Sequence, residues 1–249
     1  MTIVLVHGNP ETKAIWDEFA PHLDEKDVLR LSPPGFGAPI PEAFDCSMGA
    51  YREWLVSELQ KIGHPVDLLG HDWGGGHVMG VAMERPDLIR SWITDILGLF
   101  DPEYVWHELA QVWQTPEIGE QAVQQMMDAP IDDAVERYES LGMTPTIARK
   151  TLSARDPDMG RAILTLYRSA AQPVMRDAGK QLAKAAVRPS LALIPTEDHY
   201  CGGEKLIRRS AERAGAQVAV LEGAGHWWMC EQPNEAAETI NHFLAGLNR

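Results

Sequence analysis

The chain has 249 residues, 45 % of them hydrophobic, and a formal charge of −14. That length suits one α/β domain, or a core carrying a sizeable insertion. The acidic balance argues against nucleic acid as a partner, and no apolar run approaches the roughly eighteen residues of a membrane span.

The first residues, Thr2 to Val6, form an apolar run with strand character. They lack the charged start and cleavage site of a signal peptide, so a cytoplasmic location is the expectation. Further short apolar runs follow at Val28 to Leu31, Val66 to Leu69, Trp92 to Leu97, Leu191 to Ile194 and Val218 to Leu221. Runs this short and this continuously apolar suit strands covered on both faces. Tyr51 to Ile62 has helical periodicity, as does the stretch after Asp72 to about Arg85, before Pro86. The alternation predicts a mostly parallel sheet between helices, an α/β fold. It breaks between about Phe100 and Arg188. There, helix-like pieces such as Tyr104 to Trp113 and Met159 to Ala171 are punctuated by Pro102, Pro116, Pro130, Pro145, Pro157 and Pro173. The expected organisation is therefore a core of residues 1–99 and 189–249 with a helical cap, or lid, at 100–188. Three cysteines, Cys46, Cys201 and Cys230, have no metal-like spacing and read as buried or idle thiols.

The most informative segment runs from Val66 to His77, where a strand enters Gly70-His71-Asp72-Trp73-Gly74 and then a helix. Gly-x-Asp-x-Gly between strand and helix has the shape of a nucleophile elbow, a tight turn that lifts one side chain above the sheet. The glycines let two backbones approach where a Cβ would collide. No Gly-x-Ser-x-Gly occurs in the chain. At a helix N-terminus the Asp72 carboxylate is favoured in its ionised form, and an ionised carboxylate attacks carbon to give an ester. The alternative for Asp72 is a helix N-cap.

Two further motifs supply partners. His7-Gly8-Asn9-Pro10 follows the first strand, and the backbone N–H groups of Asn9 and Trp73 are the expected oxyanion hole. Glu222-Gly223-Ala224-Gly225-His226-Trp227 follows the last strand and makes His226 the expected general base. His7 and His71 read as structural. A carboxylate must orient His226. Asp198, in Ile194-Pro195-Thr196-Glu197-Asp198-His199, is the choice, with Glu197, Asp95 and Asp101 as alternatives. The order nucleophile, acid, base is the one this fold uses.

With these motifs the sequence resembles the α/β-hydrolase superfamily, in the branch of haloalkane dehalogenases and epoxide hydrolases. HGNP, GHDWGG, LIPTED and GAGHW occur in family order over nearly the whole chain. The resemblance implies a lidded α/β-hydrolase fold that needs no metal or organic cofactor. It also implies a small apolar substrate attacked by Asp72 and released by water. In dehalogenases a departing halide is held by two N–H donors, at the positions of Asn9 and Trp73 here. Epoxide hydrolases instead protonate the oxirane with two lid tyrosines. Leu164 to Ser169 resembles the segment carrying one, which makes Tyr167 a candidate. The early lid offers Trp106 and Trp113 but no matching tyrosine, leaving Tyr104 or Tyr138 for the second. Trp113 and Tyr167 are thus expected to face the substrate. The superfamily usually has two strands before the HGNP strand, so a sheet of about six strands is expected, with Val28 to Leu31 near an edge. Either a monomer or a homodimer is compatible. A non-catalytic ligand-binding protein on the same fold is the rival from another class.

Overall fold

The structure, a computed structural model, describes residues 1–247. Its strands are β1 (Thr2–Val6), β2 (Asp27–Leu31), β3 (Val66–Gly70), β4 (Ile89–Thr94), β5 (Ser190–Pro195) and β6 (Gln217–Leu221). They form one six-stranded sheet in the order β2-β1-β3-β4-β5-β6, and every neighbouring pair is parallel. β2 is an edge, as predicted, and β6 is the other. β1, β3 and β5 are buried throughout, whereas β2 and β6 are partly exposed. Along β1 the side chains alternate between two apolar clusters, Val4 and Val6 on one face and Ile3 and Leu5 on the other.

The helices are α1 (Met48–Ile62), α2 (Trp73–Glu84), α3 (Glu108–Gln114), α4 (Ile118–Asp128), α5 (Ile131–Glu139) and α6 (Pro145–Leu152). They continue with α7 (Pro157–Ser169), α8 (Val174–Gly179), α9 (Gly203–Ala214), α10 (Trp228–Glu231) and α11 (Pro233–Gly246). Local chemistry sets their ends. The Ser47 side chain accepts from the Ala50 N–H at the start of α1, and Gly63 closes that helix at φ 80°. Between β4 and β5 the described chain is helical, as the proline-punctuated pattern predicts. No helix among the described residues is long and apolar enough to cross a membrane. All three cysteines are free and buried.

Two of the boundaries that differ from the sequence reading have a local cause. β4 ends at Thr94, and Leu97–Phe100 turns into a 3₁₀ helix, so the apolar run to Leu97 is not all strand. Thr94 and Asp95 interrupt the run, and the chain leaves the sheet there while Ile96 and Leu97 carry the apolar character into the turn. Helix α3 begins at Glu108 rather than Tyr104, because the His107 ring accepts from the Ala110 N–H and caps it there.

The sheet order places the site. From β1 the chain steps to one side for β2, then to the other for β3. Loops leaving β1 and β3 therefore part at their C-terminal ends, where open parallel sheets bind ligands. Asn9 leaves β1 there and Asp72 leaves β3. Close backbone packing makes the junction: a Cβ on Gly74 would strike the carbonyl oxygen of Val6. Backbone cannot swing aside as a flexible side chain can. Gly74→Ala should therefore cost about 1–3 kcal/mol, seen as a fall in Tm of roughly 2–12 °C by calorimetry. An unchanged Tm would mean the junction is looser than described.

Candidate active site

Asp72 joins β3 to α2 at φ 48° and ψ −129°. Side chains avoid that region, and holding one there costs about 1–3 kcal/mol. Its neighbours leave no other path: a Cβ on Gly70 would lie 2.5 Å from the Gly74 carbonyl oxygen. The Asp72 side chain makes no capping hydrogen bond to α2, so it does not serve as the N-cap alternative. It points instead into a cavity of about 470 Å³ that Asn9 and His226 also line. A Cβ on Gly8 would land on the Asp72 carboxylate, so Gly8 is the residue that lets the HGNP turn close over it.

One carboxylate oxygen is already held. The Asn9 backbone N–H donates to Asp72 Oδ1 at 3.0 Å, which leaves Oδ2 without a hydrogen-bond partner among the described residues. Burial pushes the Asp72 carboxyl up to about 6, against the opposing pull of the His226 imidazole. The helix end was expected to favour the carboxylate. Loss of solvent outweighs it.

His226 lies in the loop after β6, and its Nδ1 donates to Asp198 Oδ2 at 2.9 Å. That bond leaves Nε2 as the basic nitrogen. Asp198 follows β5, and its Oδ1 accepts the Tyr200 N–H at 2.8 Å. Burial opposes its ionisation, yet the imidazole and this N–H hold Asp198 down at about 2. Burial also opposes protonation of His226, and Asp198 nevertheless keeps its pKa above the ordinary value. The other candidate acids are placed elsewhere. Glu197 is exposed, Asp101 accepts from Arg209, and Asp95 accepts from His71.

Beneath these residues lies a network that sequence reading did not anticipate. The His71 ring is fully buried between Asp95 Oδ2 at 2.5 Å and Glu11 Oε1 at 3.1 Å. Burial disfavours its charge, but the two carboxylates outweigh that and raise its pKa well above the ordinary value. Glu11 also accepts the Gly8 N–H at 3.0 Å and the Trp227 indole at 2.5 Å. Asp95 takes the Asp72 N–H at 3.2 Å and the Trp228 indole at 2.7 Å. His71 and His226 stand with ring centroids 4.6 Å apart. His7 is structural: it hydrogen-bonds the Gly8 carbonyl at 2.8 Å and Ser32 Oγ at 3.2 Å. Burial holds it neutral, at about 4.

The rest of the wall comes mostly from the helices between β4 and β5, and includes Trp113, Tyr138 and Tyr167. Asn9 is buried, and neither polar atom of its carboxamide has a partner among the described residues. The Trp73 ring does not stand with it on the wall. It is buried behind Tyr167, edge-on at 5.4 Å, and stacked on Trp106 at 5.9 Å. Its indole N–H stands beside the phenol of Tyr167, which does line the cavity. Tyr104 donates to the Tyr200 carbonyl at 2.9 Å. Tyr200 and His107, which the motif reading missed, also line the cavity. His107 is held neutral by burial, at about 4, and its Nδ1 accepts from Ala110, so its hydrogen sits on Nε2.

Two groups have metal-ligand proximity: Glu11, His71 and His226, and Asp198, Cys201 and His226. The hydrogen bonds just described account for that proximity. Both His71 nitrogens already face carboxylates, which leaves no lone pair for a cation without breaking the network.

Comparison with known proteins agrees with this architecture. An Acinetobacter baylyi (E)-2-((N-methylformamido)methylene)succinate hydrolase is 23 % identical over 97 % of this chain and 89 % of its own. A Bradyrhizobium elkanii haloalkane dehalogenase, the DbeA-M1 loop variant, superposes with a TM-score of 0.76 at 18 % identity, covering 99 % of this chain and 90 % of that one. A candidate epoxide hydrolase from Pseudomonas aeruginosa superposes at 0.78 with 21 % identity, covering 99 % and 89 %. At such identities the two structures establish the shared fold. The model of the alpha/beta hydrolase family matches residues 3–239, so this chain belongs to that family and is a hydrolase.

Proposed function

We propose that the protein is a lidded hydrolase in which Asp72 attacks a carbon electrophile and His226, oriented by Asp198, activates the water that releases the product. The observation that carries this reading is Asp72 itself. Its carboxylate is strained into a cavity, held through one oxygen, and set with an imidazole that a second carboxylate orients. Residues 100–188 act as a cap over the core of residues 1–99 and 189–249, closing a small apolar substrate in with one water.

With an alkyl halide, Asp72 Oδ2 forms a bond to carbon as the carbon–halogen bond breaks and the halide leaves with the electron pair. His226 Nε2 then takes a proton from water, and the hydroxide adds to the ester carbonyl carbon. The resulting oxyanion develops on Oδ1, where the N–H groups of Asn9 and Trp73 form the oxyanion hole. Collapse expels the alkoxide, which takes the proton back from His226, and the carboxyl then loses its remaining proton to water, which restores the carboxylate. The Asn9 carboxamide, buried on the wall without a partner, supports a halide as leaving group, since a desolvated halide needs such a donor. Tyr167 is the neighbouring donor. A second reading, an epoxide hydrolase, draws on Tyr167 with Tyr200, two phenols on the same wall.

The carboxylate form of Asp72 is lost as pH falls through about 6. Single-turnover ester formation should therefore slow about tenfold per unit below that point. A rate that stays flat from neutral pH down to about 5 would contradict the assignment. In His226→Gln the ester should accumulate, and mass spectrometry of the peptide containing Asp72 should show the added substrate carbon. An unmodified peptide, under conditions where the wild type turns over, would remove Asp72 as nucleophile. Substrate binding unchanged in Asp72→Asn, with no turnover by the wild type, would favour the non-catalytic rival. A bromoalkane and a styrene-type epoxide separate the two chemistries: bromide release without diol formation is expected, and diol formation without bromide release would select the epoxide reading.

A further inference from the structure

The cavity is larger than a small haloalkane requires, and one stretch of its wall is basic. Arg155 lies just beyond α6 and lines this stretch with Arg137 and Tyr138 of α5. The Arg155 guanidinium completes the C-terminal end of α4. It donates to the carbonyls of Met126 at 2.6 Å, Ala129 at 3.0 Å and Leu152 at 3.2 Å. All three acceptors are neutral. A guanidinium has five N–H donors, so two remain on its terminal nitrogens. Neither Arg155 nor Arg137 has a carboxylate within 4.0 Å among the described residues. Asp133, one turn earlier on α5, is the acidic group on this stretch and does not reach either of them. Burial and the Glu11 carboxylate push the Tyr138 phenol up, and the guanidiniums of Arg155 and Arg137 oppose them. Its hydroxyl has no partner among the described residues. In an acidic chain, two guanidiniums without counter-ions beside a free phenol, on a cavity wall, have the chemistry of an anion site.

We propose that this stretch is a carboxylate-binding subsite, and that the substrate is amphiphilic. An anionic carboxylate sits against Arg155, Arg137 and Tyr138, an apolar chain crosses the cavity past Met126 and Leu152, and the electrophilic carbon reaches Asp72. The substrate class rests on the reading of Asp72 as nucleophile; the subsite itself does not. A depression that shares His107, Arg137, Tyr200 and His226 with the cavity carries Glu108, Glu139, Glu197 and Glu231, so Arg137 stands where the cavity meets that acidic mouth, whereas Arg155 does not line it.

The subsite is tested first by binding, without chemistry. Calorimetric titration of the wild type with hexanoate and with hexanamide compares an anion with a neutral isostere. Hexanoate should bind about tenfold to hundredfold more tightly. Arg137→Met, at an exposed position, should remove part of that advantage, Arg155→Met most of it, and Arg155→Lys should restore part. Because Arg155 also caps α4, each variant's Tm and affinity for hexanamide are measured alongside. Equal affinity for the two ligands in the wild type overturns the proposal. So does an advantage for hexanoate that survives in a folded Arg137→Met, Arg155→Met double variant. Turnover is read separately with 6-bromohexanoate and 1-bromohexane, with preference for the acid expected in KM rather than kcat. Hexanoate binding that depends on Arg155, with neither bromide compound hydrolysed, would keep the subsite and reject the dehalogenase reading.

Discussion

The buried ion network around His71 ties together the segments on which the site depends. Glu11 belongs to the turn after β1, His71 to the elbow after β3, and Asp95 to the end of β4. Trp227 and Trp228 bring the His226 loop to the same two carboxylates. Two buried carboxylates cost several kcal/mol of lost hydration each unless charge and hydrogen bonds compensate. Here the compensation exists only when all of these loops are in place. The strained backbone of Asp72 persists because its own N–H donates into this network.

The same arrangement divides the labour between two carboxyl groups. Asp198 is ionised down to about 2 because an imidazole and a backbone N–H stabilise its charge. Asp72 has one N–H on Oδ1 and faces the cavity, so burial raises it to about 6. A carboxylate poorly stabilised at rest is the better nucleophile, and one that is well stabilised holds an imidazolium best. Under the proposed mechanism these are the roles each must play. The charge on His71 contributes to both, since it favours the Asp72 carboxylate and opposes early protonation of His226.

Much of this was legible in the sequence, for a physical reason. Glycines at a close approach and residues at strand ends are local constraints, so GHDWGG, HGNP, PTED and GAGHW predicted which loops meet. The apolar runs gave the number of strands, and the family resemblance put β2 near an edge. Side-chain direction was not legible. Trp73 has the expected position in the chain, but packing against Trp106 and Tyr167 decides where its indole faces. Glu11 looks like any acid after a proline turn, and only the fold brings it to His71. His107 and Tyr200 carry no motif, because they reach the cavity through contacts between distant segments. The end of β4 was misplaced because apolar Ile96 and Leu97 follow the strand into the 3₁₀ turn.

The network and the cavity wall are largely separate groups of residues, and this shapes how substrate choice relates to chemistry. Glu11, His71, Asp95 and the Trp228 indole sit below Asp72 and His226, while Trp227 joins this network to the wall, where it packs on Tyr138 at 5.2 Å. Trp113, Met126, Tyr138, Arg155 and Tyr167, from helices between β4 and β5 and the loop after α6, form much of the wall above. A substitution in those helices changes what fits without touching the charges that set the Asp72 and His226 pKa values. The exception runs through aromatic contacts. Trp73 follows the nucleophile in the chain and stacks on Trp106, while Tyr167 packs edge-on against both rings. A shift of α7 would move the Tyr167 hydroxyl and press on the residue beside Asp72 together. That wall position is therefore tied to the elbow as well as to the cavity it lines, whereas Arg137 is exposed on α5.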